Sequence, residues 1–141
     1  MKLSPNAPCP CHSGAKFKKC CRPLHRGAPA ESPVALMRSR YAAYALGDVS
    51  YLQLTTDPEG AHYRPDTAAW EIELRHYCAR TAFEGLEVRE HGEDGDTGWV
   101  LFHARLRQGD DDLSFSERSS FRRHDGRWLY HDGAQIDPRK P

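Results

Sequence analysis

Cys9, Cys11, Cys20 and Cys21 lie within thirteen residues, in the stretch "CPCHSGAKFKKCC", and only Cys78 stands apart from them. Three chemistries use thiols set this closely. Disulfides would strain the adjacent pair and belong to oxidising compartments. A thioredoxin-like redox site needs Cys-x-x-Cys, which neither half of Cys-x-Cys-x8-Cys-Cys supplies. The third is one tetrahedral metal on four thiolates, and zinc suits four sulfurs. Gly14 permits the tight reversal that would turn the two cysteine pairs towards each other. A reduced, metal-free tail is the main rival. Four protein ligands leave no position for water or substrate, so one zinc per chain held this way is structural. A head of about thirty residues buries too little to fold alone, and the metal would fold it. His12 and His25 stand close by, and spacing leaves open whether either replaces a cysteine.

The charge pattern separates this head from the rest. The chain of 141 residues has twenty Lys/Arg and twenty Asp/Glu, a net charge of zero. Residues 1–30 hold six of the basic side chains, Lys2, Lys16, Lys18, Lys19, Arg22 and Arg26, and no acidic one. The remaining fourteen Lys/Arg face all twenty Asp/Glu, which leaves residues 31–141 at −6. The basic residues can offset a zinc tetrathiolate, whose charge is near −2. All six exceed that need, so Lys16, Lys18, Lys19 and Arg22 are candidates for contact with an acidic partner. No apolar run approaches the ~20 residues of a membrane helix. "MKLSPNAP" lacks the apolar stretch of a signal peptide. The cytoplasm, where thiols stay reduced, is the expected compartment.

The knot resembles the SEC-C motif, a short zinc module first described at the C-terminus of the translocation ATPase SecA. Cys9, Pro10, Cys11, Ser13, Gly14, "KFKK", Cys20 and Cys21 carry the likeness. His12 departs from it, because glycine is usual there, and a positive φ would cost a histidine some energy. The resemblance implies zinc on the four cysteines. Since the SecA module is associated with the chaperone SecB and acidic lipid, it also implies an acidic, chaperone- or translocation-related surface as partner.

Behind the head, "ESPVALMRSRYAAYALGD" reads as a helix capped by Ser32, with Pro33 in its first turn and Gly47 closing it. Leu36, Met37, Arg40, Tyr41 and Tyr44 share one face. A short helix is expected from Asp48 to about Thr56, then a loop through "GAHYRP". Next comes a helix capped by Asp66, with Trp70, Leu74, Tyr77 and Cys78 on one face, which puts Cys78 in the core rather than at a metal. From Phe83 the period changes to two. "GLEVREH", "GWVLFHARLRQ", "LSFSERSSFRRH" and "RWLYHDG" read as four antiparallel strands separated by "GEDGDTG", "QGDDD" and the hairpin turn Asp125-Gly126. Helices then strands make an α+β domain. Alternation through Leu113, Phe115, Glu117, Ser119 and Phe121 turns Glu117 inward, where a carboxylate is rarely left unpaired. Arg40, in the apolar stripe of the first helix, is the expected partner. Tyr41, Tyr44 and Tyr130 would line the same space. Asp132 shares the inward parity of Trp128 and Tyr130, and His103 faces the other way.

"ALMRSRYAAYALGD", "SERSSF" and "GRWLYHDG" resemble the body of the YchJ-like bacterial family, also called UPF0225. Its members join an N-terminal SEC-C motif to an NTF2-like domain. The likeness spans Cys9 to Gly133. It implies a zinc segment over residues 1–31 and, over 32–141, an NTF2-like (cystatin-like) cone of helices on a curved antiparallel sheet. Two functions follow. In the leading one the protein is a zinc-binding adapter whose basic head docks on an acidic partner. In the alternative the cone is a small-molecule receptor or enzyme site. Glu117 would then be a base set against Arg40, and Tyr41 or Tyr130 would donate to a developing oxyanion. A structural Arg40–Glu117 pair weighs against that alternative, because no catalytic string is present. Nucleic acid is disfavoured by the acidic body and the absence of a recognition helix, which leaves only contact of the head with ribosomal RNA. NTF2-like domains commonly dimerise through their sheets, which makes a homodimer an expectation of the resemblance.

Overall fold

The computed structural model describes residues 3–136. Lys2 and residues 137–141, which the sequence reading assigns to the head and to the second unit, lie outside the described residues. The head begins with a bridge between Pro8 and Lys16, a single 3₁₀ turn at Phe17–Lys19 and a four-residue helix α1, Arg22–His25. Helix α2 spans Pro33–Leu46. The Ser32 hydroxyl accepts from the Ala35 amide at its start, and Gly47 ends it at φ 73°, in the left-handed region that glycine occupies at little cost. Helix α3, Val49–Leu54, is capped by Asp48, and α4, Thr67–Arg80, by Asp66.

The sheet has four long strands, β1 Ala82–Asp94, β2 Thr97–Gln108, β4 Phe115–His124 and β5 Arg127–Ile136, in the antiparallel order β1-β2-β4-β5. A two-residue strand β3, Asp111–Asp112, pairs with β2. Two expectations are corrected here. The stretch read as the loop "GEDGDTG" is mostly strand, because pairing runs to Asp94 and Thr97 and leaves Gly95 and Asp96 as a two-residue tip. Leu113 lies before β4 and is 40% exposed, because its amide turns to the Leu106 carbonyl to close the β3 turn.

Period two along β2 buries Val100, Phe102, Ala104 and Leu106 against Leu36, Met37 and Tyr41 of α2. Phe121 and Trp128 complete this core. At roughly 1.5–3 kcal/mol per large buried side chain, it is the main favourable term of the body. Helix α4 buries Trp70 alone, and Cys78 is half-buried, packed against the small core of Ala43, Tyr51 and Leu52. That helix packs on α3 and α2, and Cys78 also borders a groove with Leu46 and Gly47. Burial still pushes its thiol pKa up.

Candidate metal centre and cone cavity

The head folds around sulfur. The Cys9 amide donates to the Ala15 carbonyl and the Phe17 amide to the Ala7 carbonyl, which brings the two arms together. His12 turns the chain at φ 62°, the left-handed conformation for which glycine is the usual residue, and Gly14 follows at φ 91°. The four sulfurs lie within 4.8 Å of one another. Cys11 and Cys20 are 3.5 Å apart, and Cys20 and Cys21 are 3.8 Å apart. Zinc–sulfur bonds of about 2.3 Å place the corners of a tetrahedron about 3.8 Å apart. The cysteines are free thiols, and their spacing fits one tetrahedral metal.

As thiols, Cys21 and Cys9 hydrogen-bond to Cys11. That holds Cys11 far below the usual thiol range and pushes Cys9 up to about 12 and Cys21 up as well. The Ser13 hydroxyl lies 3.2 Å from the Cys20 sulfur and supports it from outside.

Neither nearby histidine joins the sulfurs. His12 donates from Nε2 to the Phe83 carbonyl, and His25 donates from Nε2 to the Ser39 carbonyl at 2.8 Å. Both tie the head to the body. Cys9, Cys11, Phe17 and Cys21 bury against Ala42 and Leu46 of α2, and Arg38 donates to the Cys11 carbonyl. Lys16, Lys18 and Lys19 are exposed and Arg22 is half-buried. None of these four makes a salt bridge among the described residues.

The second site lies between α2 and the inner face of the sheet. Arg40, Tyr41, Tyr44, Glu117 and Tyr130 line one cavity of about 190 Å³, whose floor is apolar through Phe102, Leu106 and Phe121. A wider groove of about 690 Å³ adjoins it, and Arg40, Tyr44 and Tyr130 line both. Arg40 is 8% exposed.

The expected Arg40–Glu117 ion pair does not form. Arg40 Nη1 instead donates to the Leu52 carbonyl and the hydroxyls of Thr55 and Thr56, at 3.0, 2.7 and 3.2 Å. These acceptors sit where α3 ends and its carbonyls lack helical partners, which draws a cation. The guanidinium also lies 4.7 Å from the centre of the Tyr130 ring. Glu117 accepts a short hydrogen bond from the Ser119 hydroxyl on its own strand.

Tyr41 departs from the oxyanion-donor expectation. Its hydroxyl donates to the Gly85 carbonyl and accepts from the Gly85 amide, so only its ring serves the cavity. Burial pushes its pKa up to about 12, and burial also raises those of Tyr44 and Tyr130.

Asp132 is a further correction. A bulge in the β4–β5 pairing skips His131, so Phe121 faces Tyr130 while Ser120 faces Asp132. Parity inverts there, and Asp132 turns outward to His62 at 3.4 Å. His103 lies on the outer face, against the Ser116 hydroxyl.

Sequence reasoning missed two features. Gly133 faces inward, and a Cβ there would fall within about 2.5 Å of Glu117 Oε2 and the Tyr130 hydroxyl. Any side chain at position 133 would displace one or both of those groups. Asp57 is buried at the foot of α3. It accepts from the Glu59 amide and from His131, both at 2.9 Å, and His124 stands 3.5 Å away. Burial opposes its ionisation, but these donors outweigh burial and hold its carboxyl below the usual range. The turn residues of "TTDPEG" announced an Asx turn. Nothing local announced its burial beneath β5.

Four antiparallel strands with helices on one face enclosing a cavity, behind a four-cysteine head, define an NTF2-like domain that carries a SEC-C motif. The description "YchJ, middle NTF2-like domain" matches residues 32–133, and "SEC-C motif" matches residues 6–23. The chain is 41% identical to a UPF0225 protein of Deinococcus radiodurans over 93% of this chain and 92% of that one. The chain belongs to the YchJ-like, UPF0225 family. A SEC-C motif containing protein of Rhodopseudomonas palustris, solved in solution, is 41% identical. It superposes with a TM-score of 0.78 over 93% of this chain and 100% of its own. A crystal structure of a SEC-C motif containing protein from Psychrobacter arcticus shares the fold, with a TM-score of 0.77 at 24% identity over 93% and 84% of the two chains. Among the described residues no helix is long and apolar enough to cross a membrane.

Proposed function

We propose that this protein is a zinc-stabilised small-molecule receptor, with one structural Zn²⁺ on Cys9, Cys11, Cys20 and Cys21 and a ligand site in the cone. The observation that carries the reading is the separation of Arg40 from Glu117. A structural ion pair would have used up both groups. Instead each is held by neutral partners, and both line a cavity with Tyr44 and Tyr130. Convergent polar groups in an apolar pocket are the ordinary form of a ligand site. The zinc head serves this site indirectly, because it packs on α2, the helix that presents Arg40 and Tyr44.

The test is native mass spectrometry of protein purified gently from its own cells. We expect a mass excess of one zinc per chain and a retained small molecule that is lost from Gly133→Ala and Glu117→Gln. A zinc-bound protein with nothing else retained, and no ligand found by screening, would refute the receptor reading.

A second reading is favoured by the basic head. Lys16, Lys18 and Lys19 are exposed and free of salt bridges among the described residues, beside a metal site that is closed to substrate. They suit an acidic partner surface, including a chaperone, in the cytoplasm where the thiols stay reduced. Replacing all three by Glu would abolish salt-sensitive retention on an acidic peptide or anionic vesicle, while Glu117→Gln would leave it intact. The same protocol reports the oligomeric state, for which a homodimer through the sheet is the expectation.

A further inference from the structure

We propose that the ligand of the cone is an organic carboxylate whose charged end is held by Arg40 and whose short apolar or aromatic body fills the cavity. The inference rests on the receptor reading and adds the chemical class of the ligand.

Arg40 is a buried cation without a counter-ion. It is 8% exposed and makes no salt bridge among the described residues. Placing a charge in a dry interior costs several kcal/mol unless an opposite charge or several hydrogen bonds offset it. Nη1 has three acceptors. Nη2 and Nε make no close hydrogen bond among the described residues, although the Tyr44 hydroxyl stands beside the guanidinium, and no fully enclosed side-chain nitrogen there lacks a partner. These two donors therefore face the space that Arg40 lines. They form one edge of the guanidinium fork, the edge that binds a carboxylate through two parallel hydrogen bonds. The fork is already oriented, because Nη1 is pinned to the end of α3 and the guanidinium lies over the Tyr130 ring.

The surroundings favour an anion at this point. Arg40 lies at the junction of cavity and groove. The groove is also lined by Arg80 and His76, which carry no salt bridge among the described residues, and its one carboxylate, Glu73, is held by Arg64 at 3.2 Å. Glu117 lines the cavity and not the groove, whereas Arg40 lines both, so the charged end of a ligand on Arg40 is placed at the groove side, away from the like charge of Glu117. Phe83, Phe115 and Phe121 give the cavity apolar walls. A volume of about 190 Å³ is smaller than the ~300–1,000 Å³ pockets that hold drug-sized ligands, which limits the buried body to a short chain or one ring.

The experiment uses the full zinc-loaded chain and three probes, butyrate, hexanoate and phenylacetate, each beside its uncharged primary amide. The reporter is the Arg40 Nε–H resonance, assigned through its own side-chain bonds, together with the shift in Tm. The carboxylates should move the Arg40 resonance in a saturable way and raise Tm. The amides should bind roughly tenfold to a hundredfold more weakly, the worth of a charge-assisted pair. Equal binding of acid and amide would overturn the role of Arg40 while leaving the receptor reading standing. Inorganic phosphate reproducing the full shift would overturn the apolar body. Silence from all three pairs would overturn the inference and count against the receptor reading as well. Because the comparison is made on the wild-type chain, failure of an Arg40 variant to fold does not affect it.

Discussion

Tyr41→Phe tests whether Tyr41 serves structure or ligand. The hydroxyl donates to the Gly85 carbonyl at 2.9 Å and accepts from the Gly85 amide at 3.1 Å. Gly85 follows a register shift that skips Glu84 in β1, the strand at the edge of the sheet, and pairs with Arg105 of β2. Tyr41 itself is 5% exposed. Removing the hydroxyl therefore deletes two hydrogen bonds worth about 1 kcal/mol each and strands two partly buried backbone groups. The expected cost is about 2–3 kcal/mol, or a fall in Tm of roughly 6–10 °C for a chain of this size. Tyr44→Phe is the comparison, because the Tyr44 hydroxyl faces the Arg40 guanidinium rather than the sheet backbone, and its loss should cost about 1 kcal/mol. Urea unfolding with a common slope compares the two variants. Equal midpoints would refute the assignment, and so would a Tyr41→Phe protein of wild-type stability that has lost ligand binding.

Cys11→Ser should abolish metal uptake and collapse amide-exchange protection in the head, while the central strands keep theirs. Stoichiometric zinc in that variant would remove Cys11 from the ligand set. Because Cys9, Phe17 and Cys21 share a cluster with Ala42, chelation should also lower the Tm of the body, read by calorimetry. Asp57 predicts a pH response. Its folded pKa lies below the unfolded value near 3.9, so its contribution is present above that pH and is lost as pH falls through the folded value. Asp57→Asn should cost about 1–3 kcal/mol at neutral pH and flatten the stability profile below about pH 4. A variant profile parallel to wild type would refute this.

Local signals located the starts of the three longer helices, though not the short helix α1 of the head. Ser32, Asp48 and Asp66 each cap through a side-chain oxygen, and a cap is a contact over two or three residues that neighbours in sequence can announce. The Asp125-Gly126 hairpin was legible for the same reason, since both residues take positive φ. The inward parity of Glu117 was legible because β4 keeps its alternation from Phe115 to Ser119. Asp132 was not, because one skipped residue in β5 reverses every side chain beyond it, and the skip belongs to pairing between strands.

The cysteine spacing, taken alone, determined that the four cysteines converge in the head, because the turn that closes it is local. It could not tell that His12 and His25 would be drawn away to the Phe83 and Ser39 carbonyls of the body. Helical periodicity put Arg40 in an apolar stripe and so marked it as a buried cation in need of partners. Only the tertiary structure decided which partners. The end of α3 offers a carbonyl and two hydroxyls closer to Arg40 than any carboxylate, and the nearest acceptors take the charge. That competition is settled by distances in space, which helical periodicity does not contain.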